Sequence, residues 1–405
     1  MIPFLRHVTP YFVAALALGD VGCSSSSNAT QTIPNAGSGG TTSSGGTTSS
    51  GGTTSAGSGG TATTVGGSSG TSSGTGGTDT SEGGAPADAP PLPPLHVEGN
   101  AIKDASGNTV ILRGVDLIDL AATDQWEGGI KKMIDRLTNP TDTQGSSPGW
   151  GTKILRLAVV PAGAGQGTPV GYMPGIQYYE RFLRPTVDYA RQKGLYAIID
   201  WHYVDDTTKH EDTTPVFWQD IAPHFADDTN VLFELYNEPI NAGSWGTVKP
   251  DMQNWYNIVR ASAPNNLVLI GTPNWSQNVA DAAADPIDGT NLVYVAHMYP
   301  QHWQSQSLKD QITTAAQTVP VFMSEWGFEE LPMNMLLNGT ITSYGAPIQQ
   351  FMEERNLSWS AWCASSSWLP PMFNADYTLK VGEGEMGGFV KDWLYSRKDD
   401  NQPMP

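Results

Sequence analysis

From residue 95 onward, short apolar runs alternate with amphipathic stretches, and this alternation is the dominant pattern of the chain. Eight runs read as strands: Val110–Asp116, Ile154–Val160, Tyr196–His202, Leu232–Asn237, Leu267–Gly271, Leu292–His297, Val319–Glu325 and Leu357–Cys363. Runs such as ILRLAVV and YAIID have the near-continuous apolar character of parallel strands covered on both faces. Between them lie helical periods at Gly128–Leu137, Tyr178–Lys193, Met252–Ala263, Leu308–Ala316 and Ala346–Arg355. Eight such alternations predict a single α/β domain, a (β/α)8 TIM barrel. Ahead of it, HVEG and TVILRG flank the turn-forming cluster Asp104 to Asn108, which predicts a hairpin closing the barrel floor.

The residues before the barrel follow different rules. No charge occurs between Cys23 and Asp79, and the tract repeats GGTTSS-like units before ending in the Pro-rich stretch Pro86 to Pro94. So little apolar surface cannot offset ordering entropy, which predicts a disordered linker over 23–88. A coil of that length reaches about 40–50 Å, enough to hold a globular head clear of a membrane or cell surface. The start of the chain reads as a signal peptide over 1–22. Arg6 and His7 precede the apolar run Tyr11 to Leu18, which is too short to span a bilayer. Cys23, followed by four serines, resembles a bacterial lipoprotein site, with Cys23 as the lipidated residue. Asp20 stands where such signals carry a Leu-like residue, so an ordinary cleavage nearby is the alternative. The domain boundaries expected are therefore 1–22, 23–88 and 89–405.

Charge narrows the partners. The chain carries 21 basic and 40 acidic residues, a net charge of −19, which would repel nucleic acid. Two cysteines, Cys23 and Cys363, make neither a disulfide framework nor a CxxC zinc site. Membrane contact is expected only through a lipid on Cys23, and the chain is expected to act as a monomer.

In a barrel of this kind, chemistry gathers at the C-terminal ends of the strands. Those ends carry Asp116, Arg156, His202, Asn237 with Glu238, His297 with Tyr299, Glu325 and Trp362. Two glutamates closing non-adjacent strands would face one another across the mouth. Glycoside hydrolysis needs such a pair, one to protonate the departing oxygen and one to attack or to activate water. An isolated Glu after a strand is more often solvated or ion-paired, so the weight rests on the pair. His202 and His297 raise a metal reading, but no HxxxH or HExxH spacing supports it, so no metal and no cofactor is expected. Asp200, Asp205 and Asp206 read as solvated or hydrogen-bonding groups, Arg113 and Gly114 as structural, and Gly163 to Gly167 as a rim loop.

Leu235 to Pro239 (LYNEP) and Met323 to Gly327 (MSEWG) resemble the acid/base and nucleophile motifs of glycoside hydrolase family five, the cellulase family. RGVDL, ILRLAVV, DWH, HMY and SAW follow in that family's order over residues 95–397 or so. The resemblance implies Glu238 as general acid/base and Glu325 as nucleophile. It further implies that Arg156 and Tyr299 hold Glu325, Asn237 contacts a substrate 2-hydroxyl, His202 and His297 shape the site, and Trp362 offers a stacking platform. All 13 tryptophans lie in the barrel part. Sugar rings stack on flat aromatic faces, so Trp303 and Trp326, near strand ends, are expected as further platforms, whereas Trp218 and Trp393 read as core. Three activities stay open. They are a retaining endo-acting β-1,4-glucanase, the same machinery on mannan or mixed-linkage glucan, and a non-catalytic surface protein that binds a neutral β-linked polysaccharide.

Overall fold

The computed structural model describes residues 89–404 apart from 165–167, 175–176 and 241–242. The signal peptide, Cys23 and the linker expected at 23–88 lie outside the described residues, as does part of the Gly163 to Gly167 loop.

All eight expected strands form. Arg113–Leu117, Ile154–Val159, Tyr196–Trp201, Val231–Glu234, Val268–Ile270, Leu292–His297, Val321–Glu325 and Ser358–Ala361 close into one parallel barrel, in chain order. They are called the first to eighth barrel strands below. Parity explains their composition. Ile154, Ile198, Leu232, Leu269, Val295 and Phe322 share one apolar cluster that plugs the lower interior. Their odd-step neighbours, among them Leu155, Leu157, Ile199, Phe233 and Met323, pack outward in the larger cluster shared with the helices. Two residues further up the same inward face stand Arg156, Asp200, Glu234 and Ser324, all fully buried. Along these four strands the barrel therefore changes from an apolar plug to a polar layer in one step.

Gly114 permits the first strand to approach the second. A Cβ there would lie 1.8 Å from the Ile154 carbonyl oxygen. Arg113 is structural as expected, reaching Glu353 at 3.4 Å and the Asp400 carbonyl at 3.3 Å.

The N-terminal hairpin differs in register from expectation. Leu95–Glu98 pairs antiparallel with Ala101–Asp104 around Gly99, which takes φ 61°. Asp104 to Asn108 makes a second tight turn, in which the Asp104 carboxylate accepts from the Ser106 and Asn108 amides at 3.0 and 2.9 Å. Leu95, Ile102, Val110 and Leu112 then join the apolar plug, so this segment does close the floor.

Helices cover the barrel at Ile130–Leu137, Arg184–Gln192, Thr213–Ile221, Trp245–Ser262, Gln306–Ala315, Ala346–Glu354 and Met386–Ser396. The helix expected from Met252 begins at Trp245, because Gly246 and Pro250, which read as breakers, sit within its first turns. Among the described residues no helix is long and apolar enough to cross a membrane.

Candidate active site

The polar layer is organised around Arg156. Its Nε and Nη2 donate to the two oxygens of Glu234 at 2.7 and 3.0 Å, a bidentate pair. Nη1 donates to Glu325 Oε1 at 2.9 Å, and Nη2 also reaches Asn237 Oδ1 at 2.6 Å. Asp200 lies 3.0 Å from Nη2 and Asp116 3.6 Å from Nη1. Barrel register explains the convergence, since Asp116 stands directly beside Arg156 and Asp200 directly beside Glu234. One buried cation thus serves four carboxyl groups. Burial pushes Asp200 up to about 7 and Asp116 well above the usual carboxylate range, against the pull of Arg156.

Glu325 ends the seventh strand and is held from two sides. The Tyr299 hydroxyl donates to its Oε2 at 2.9 Å, opposite the Arg156 bond to Oε1. Both donors suit a carboxylate aimed at the mouth. Burial together with the Glu325 charge keeps the Tyr299 phenol well above its ordinary pKa, so it remains a donor.

Glu238 is set by the loops. The short strand Glu238–Pro239 pairs with Val204–Asp205, and the Glu238 amide donates to the Tyr203 carbonyl at 3.0 Å. Its carboxyl lies 2.8 Å from His297 Nδ1. Burial raises its pKa to about 7, with His202 and Arg156 pulling it down. Burial likewise lowers both His202 and His297 to about 4, so both imidazoles are neutral at pH 7.

The two glutamates and His297 present atoms within 4.8 Å of one another. Each Glu325 oxygen already faces a donor, and His297 is bonded through both nitrogens, so the group is a hydrogen-bonded acid–base array. An approach of 4.8 Å or less between one oxygen of each carboxyl is closer than the gap of about 6.5–9.5 Å that admits a water between them.

Around this pair, Asn237 is buried with its Nδ2 free of any protein partner, while its Oδ1 is fixed by Arg156. His202 donates or accepts through Nδ1 at 2.6 Å from Asp200, and its ring lies parallel to Trp362 with centroids 5.3 Å apart. Trp362 is held by its indole N–H, which donates to the Leu369 carbonyl at 3.2 Å. Gly327 makes room for that turn, since a Cβ there would lie 2.5 Å from the Trp362 carbonyl oxygen.

One of the expected platforms fails. Trp326 has no exposed surface and packs edge-on to Trp359 at 5.4 Å and against Trp393 at the same distance. It follows Glu325 by one residue, and that step turns its ring outward into the helix layer. Trp303 is partly buried, meeting Tyr344 and Phe351 edge-on with the Lys309 ammonium 4.7 Å over its ring. Trp326→Ala is therefore expected to cost about 3–5 kcal/mol of stability while leaving KM unchanged at temperatures where the variant is folded. Urea unfolding and initial-rate measurements check this, and a raised KM with unchanged stability would restore the platform reading.

Sequence reasoning placed Asp116 at a strand end without giving it a role, and missed Asp200, Glu234 and Ser324 as members of the site. The signal available was parity: each is a polar residue two positions after an inward apolar one or, for Asp116, after Gly114.

Comparison with known proteins bears on this geometry. The model of the family described as cellulase (glycosyl hydrolase family 5) matches residues 104–367. An endoglucanase of Clostridium saccharobutylicum is 27% identical over 300 residues, covering 73% of this chain and 61% of the relative. Endoglucanase Z of Dickeya dadantii is 31% identical over 253 residues, covering 61% of this chain and 56% of the relative. The chain thus spans less than two thirds of the length of these curated relatives. Among solved structures, a beta-glucanase of Saccharophagus degradans in complex with cellotetraose aligns with TM-score 0.65 at 22% identity, over 80% of this chain and all of the other, a likeness of fold. With the barrel, the paired glutamates and this match in agreement, the chain belongs to the cellulase family, glycosyl hydrolase family 5.

Proposed function

We propose that the protein is a retaining endo-β-1,4-glucanase acting by double displacement. The observation that carries this is the asymmetry of two carboxyl groups within 4.8 Å of each other, Glu325 held by a guanidinium and a phenol, Glu238 held by a neutral imidazole. Glu325 attacks the anomeric carbon as the bond to the leaving oxygen breaks, and Glu238 gives that oxygen its proton. Glu238, now a carboxylate, takes a proton from water as the water oxygen attacks the same carbon, and Glu325 leaves as a carboxylate. Asn237 Nδ2 is placed as a free donor for a substrate hydroxyl, and the Trp362 ring, backed by His202, supplies a flat face for a sugar.

The endoglucanase relatives and the fold neighbour solved with cellotetraose support a β-1,4-glucan over mannan. Reducing-sugar release on carboxymethylcellulose, barley glucan and mannan tests the substrate. Release from the first two with an early fall in viscosity is expected, and release from mannan alone would overturn it.

The proton on Glu238 makes the activity pH-dependent in one direction. The acid works only while protonated, so kcat/KM is expected to fall tenfold per unit as pH rises beyond about 7. Glu238→Gln is expected to lower kcat on polysaccharide by about 10²–10⁴-fold and to abolish that limb. A limb unchanged in Glu238→Gln would assign it to another group.

Export, a linker over 23–88 and a lipid on Cys23 complete the proposal, resting on the sequence of residues 1–88.

A further inference from the structure

The turn that follows the fifth strand is folded against the ordinary handedness of the chain. Asn274, Trp275 and Ser276 take φ values of 58°, 54° and 53° in succession. A left-handed backbone crowds Cβ against the following carbonyl oxygen, so residues other than glycine visit it singly. Three in a row, one of them a tryptophan, are a strained arrangement that the surroundings must hold. Apolar burial does not account for it, because Asn274 is exposed and Trp275 only half-buried. What the turn delivers inward is Ser276, which is fully buried.

Ser276 Oγ meets two backbone groups. It accepts from the Thr272 amide at 3.3 Å and donates to the Asn237 carbonyl at 2.8 Å. An amide can only donate and a carbonyl only accept, so the hydroxyl proton has one direction. The Asn237 carbonyl belongs to the peptide unit whose other end is the Glu238 amide, and that amide donates to the Tyr203 carbonyl at 3.0 Å. The peptide joining Asn237 to Glu238 is thus pinned at both ends, by the loop after the third strand and by the turn after the fifth. Rotation of that plane would swing the Glu238 side chain. Gly271 lets the two segments meet, since a Cβ there would lie 2.1 Å from the Tyr236 carbonyl oxygen. The Asn237 side chain is held separately, by Arg156 on its Oδ1.

We infer that Ser276 is a positioning residue for Glu238, and that the left-handed turn serves to bring its hydroxyl to the Asn237–Glu238 peptide. The inference rests on the reading of Glu238 as the acid/base. A general acid must meet the leaving oxygen within hydrogen-bond reach, so a loosened Glu238 loses proton transfer first. Glu325 keeps both of its donors, Arg156 and Tyr299, and its attack is untouched.

Leaving groups separate these two functions. A dinitrophenolate departs without a proton, whereas a sugar oxygen needs one. Ser276→Ala is expected to lower kcat/KM on cellotetraose about tenfold and on a dinitrophenyl β-cellobioside by less than about twofold. A role in packing alone would lower both alike, through loss of folded enzyme. Equal losses on the two substrates, or no loss on cellotetraose, overturn the inference. Should Ser276→Ala not fold, Ser276→Gly removes the same hydroxyl at a φ that glycine adopts freely and carries the same comparison. Glu238→Gln on the same two substrates distinguishes the readings. A contrast there with none in Ser276→Ala defeats the inference alone, and no contrast there defeats the acid/base assignment on which it stands.

Discussion

Glu325→Gln is expected to lower kcat on carboxymethylcellulose by roughly 10⁴-fold or more, while the protein stays folded. The amide keeps the shape of the carboxylate and its acceptor oxygen, so binding survives. What it lacks is the electron pair that forms the bond to the anomeric carbon. Stability should hold or rise, because Arg156 then faces three carboxyl groups instead of four. Thermal unfolding beside single-turnover kinetics separates the two effects. Equal loss of activity and of folded protein would point to a structural role for Glu325. Azide adds a test of role. With Glu325→Ala and an activated aryl glycoside, azide enters the vacated side and yields an α-glycosyl azide, whereas Glu238→Ala should yield the β-anomer.

Arg156→Met should have the largest effect on stability of any change in the polar layer. Removing one partner of a buried ion pair costs about 3–5 kcal/mol, because the other charge is left uncompensated. Here several carboxyl groups lose their shared cation at once. The pH dependence gives the sign. Burial already raises Asp116, Asp200 and Glu234 in the folded protein, and losing Arg156 raises them further. A carboxyl whose folded pKa exceeds its unfolded one binds more protons when folded, so stability falls as pH rises through the interval between the two values. Urea unfolding of Arg156→Met should show the smaller deficit near pH 5 and the larger near pH 8. A deficit independent of pH would mean that the guanidinium contributes packing rather than charge.

These residues also show where sequence reading succeeds and stops. The barrel was legible because its strands are short apolar runs at regular spacing, and all eight fall where the pattern places them. Glu238 and Glu325 were legible because each closes such a run inside a recognisable motif. Asp200 and Glu234 were not, because a single acid within an apolar run looks the same whether it meets solvent or a buried guanidinium. Only register decides, by placing Asp200 beside Glu234 and Asp116 beside Arg156. Trp326 misled for the opposite reason. Adjacency to Glu325 in sequence suggested adjacency in the groove, yet successive residues at a strand end face opposite sides. The expected turn at Asp104 to Asn108 forms, with Lys103 bridging Thr109, but Gly99 makes a further turn ahead of it that the sequence reading did not separate, so HVEG pairs with Ala101–Asp104.

The central claim is that Glu325 forms a covalent bond to the sugar while Glu238 manages the proton. Incubation with a 2-deoxy-2-fluoro-cellobioside bearing an activated leaving group tests it directly, since the fluorine slows hydrolysis of the intermediate more than its formation. Mass spectrometry should show one added fluoro-cellobiosyl group on the intact protein, and peptide mapping should place it on Glu325. A label on Glu238, or turnover with no label and an α-anomer as the first product, would contradict the account.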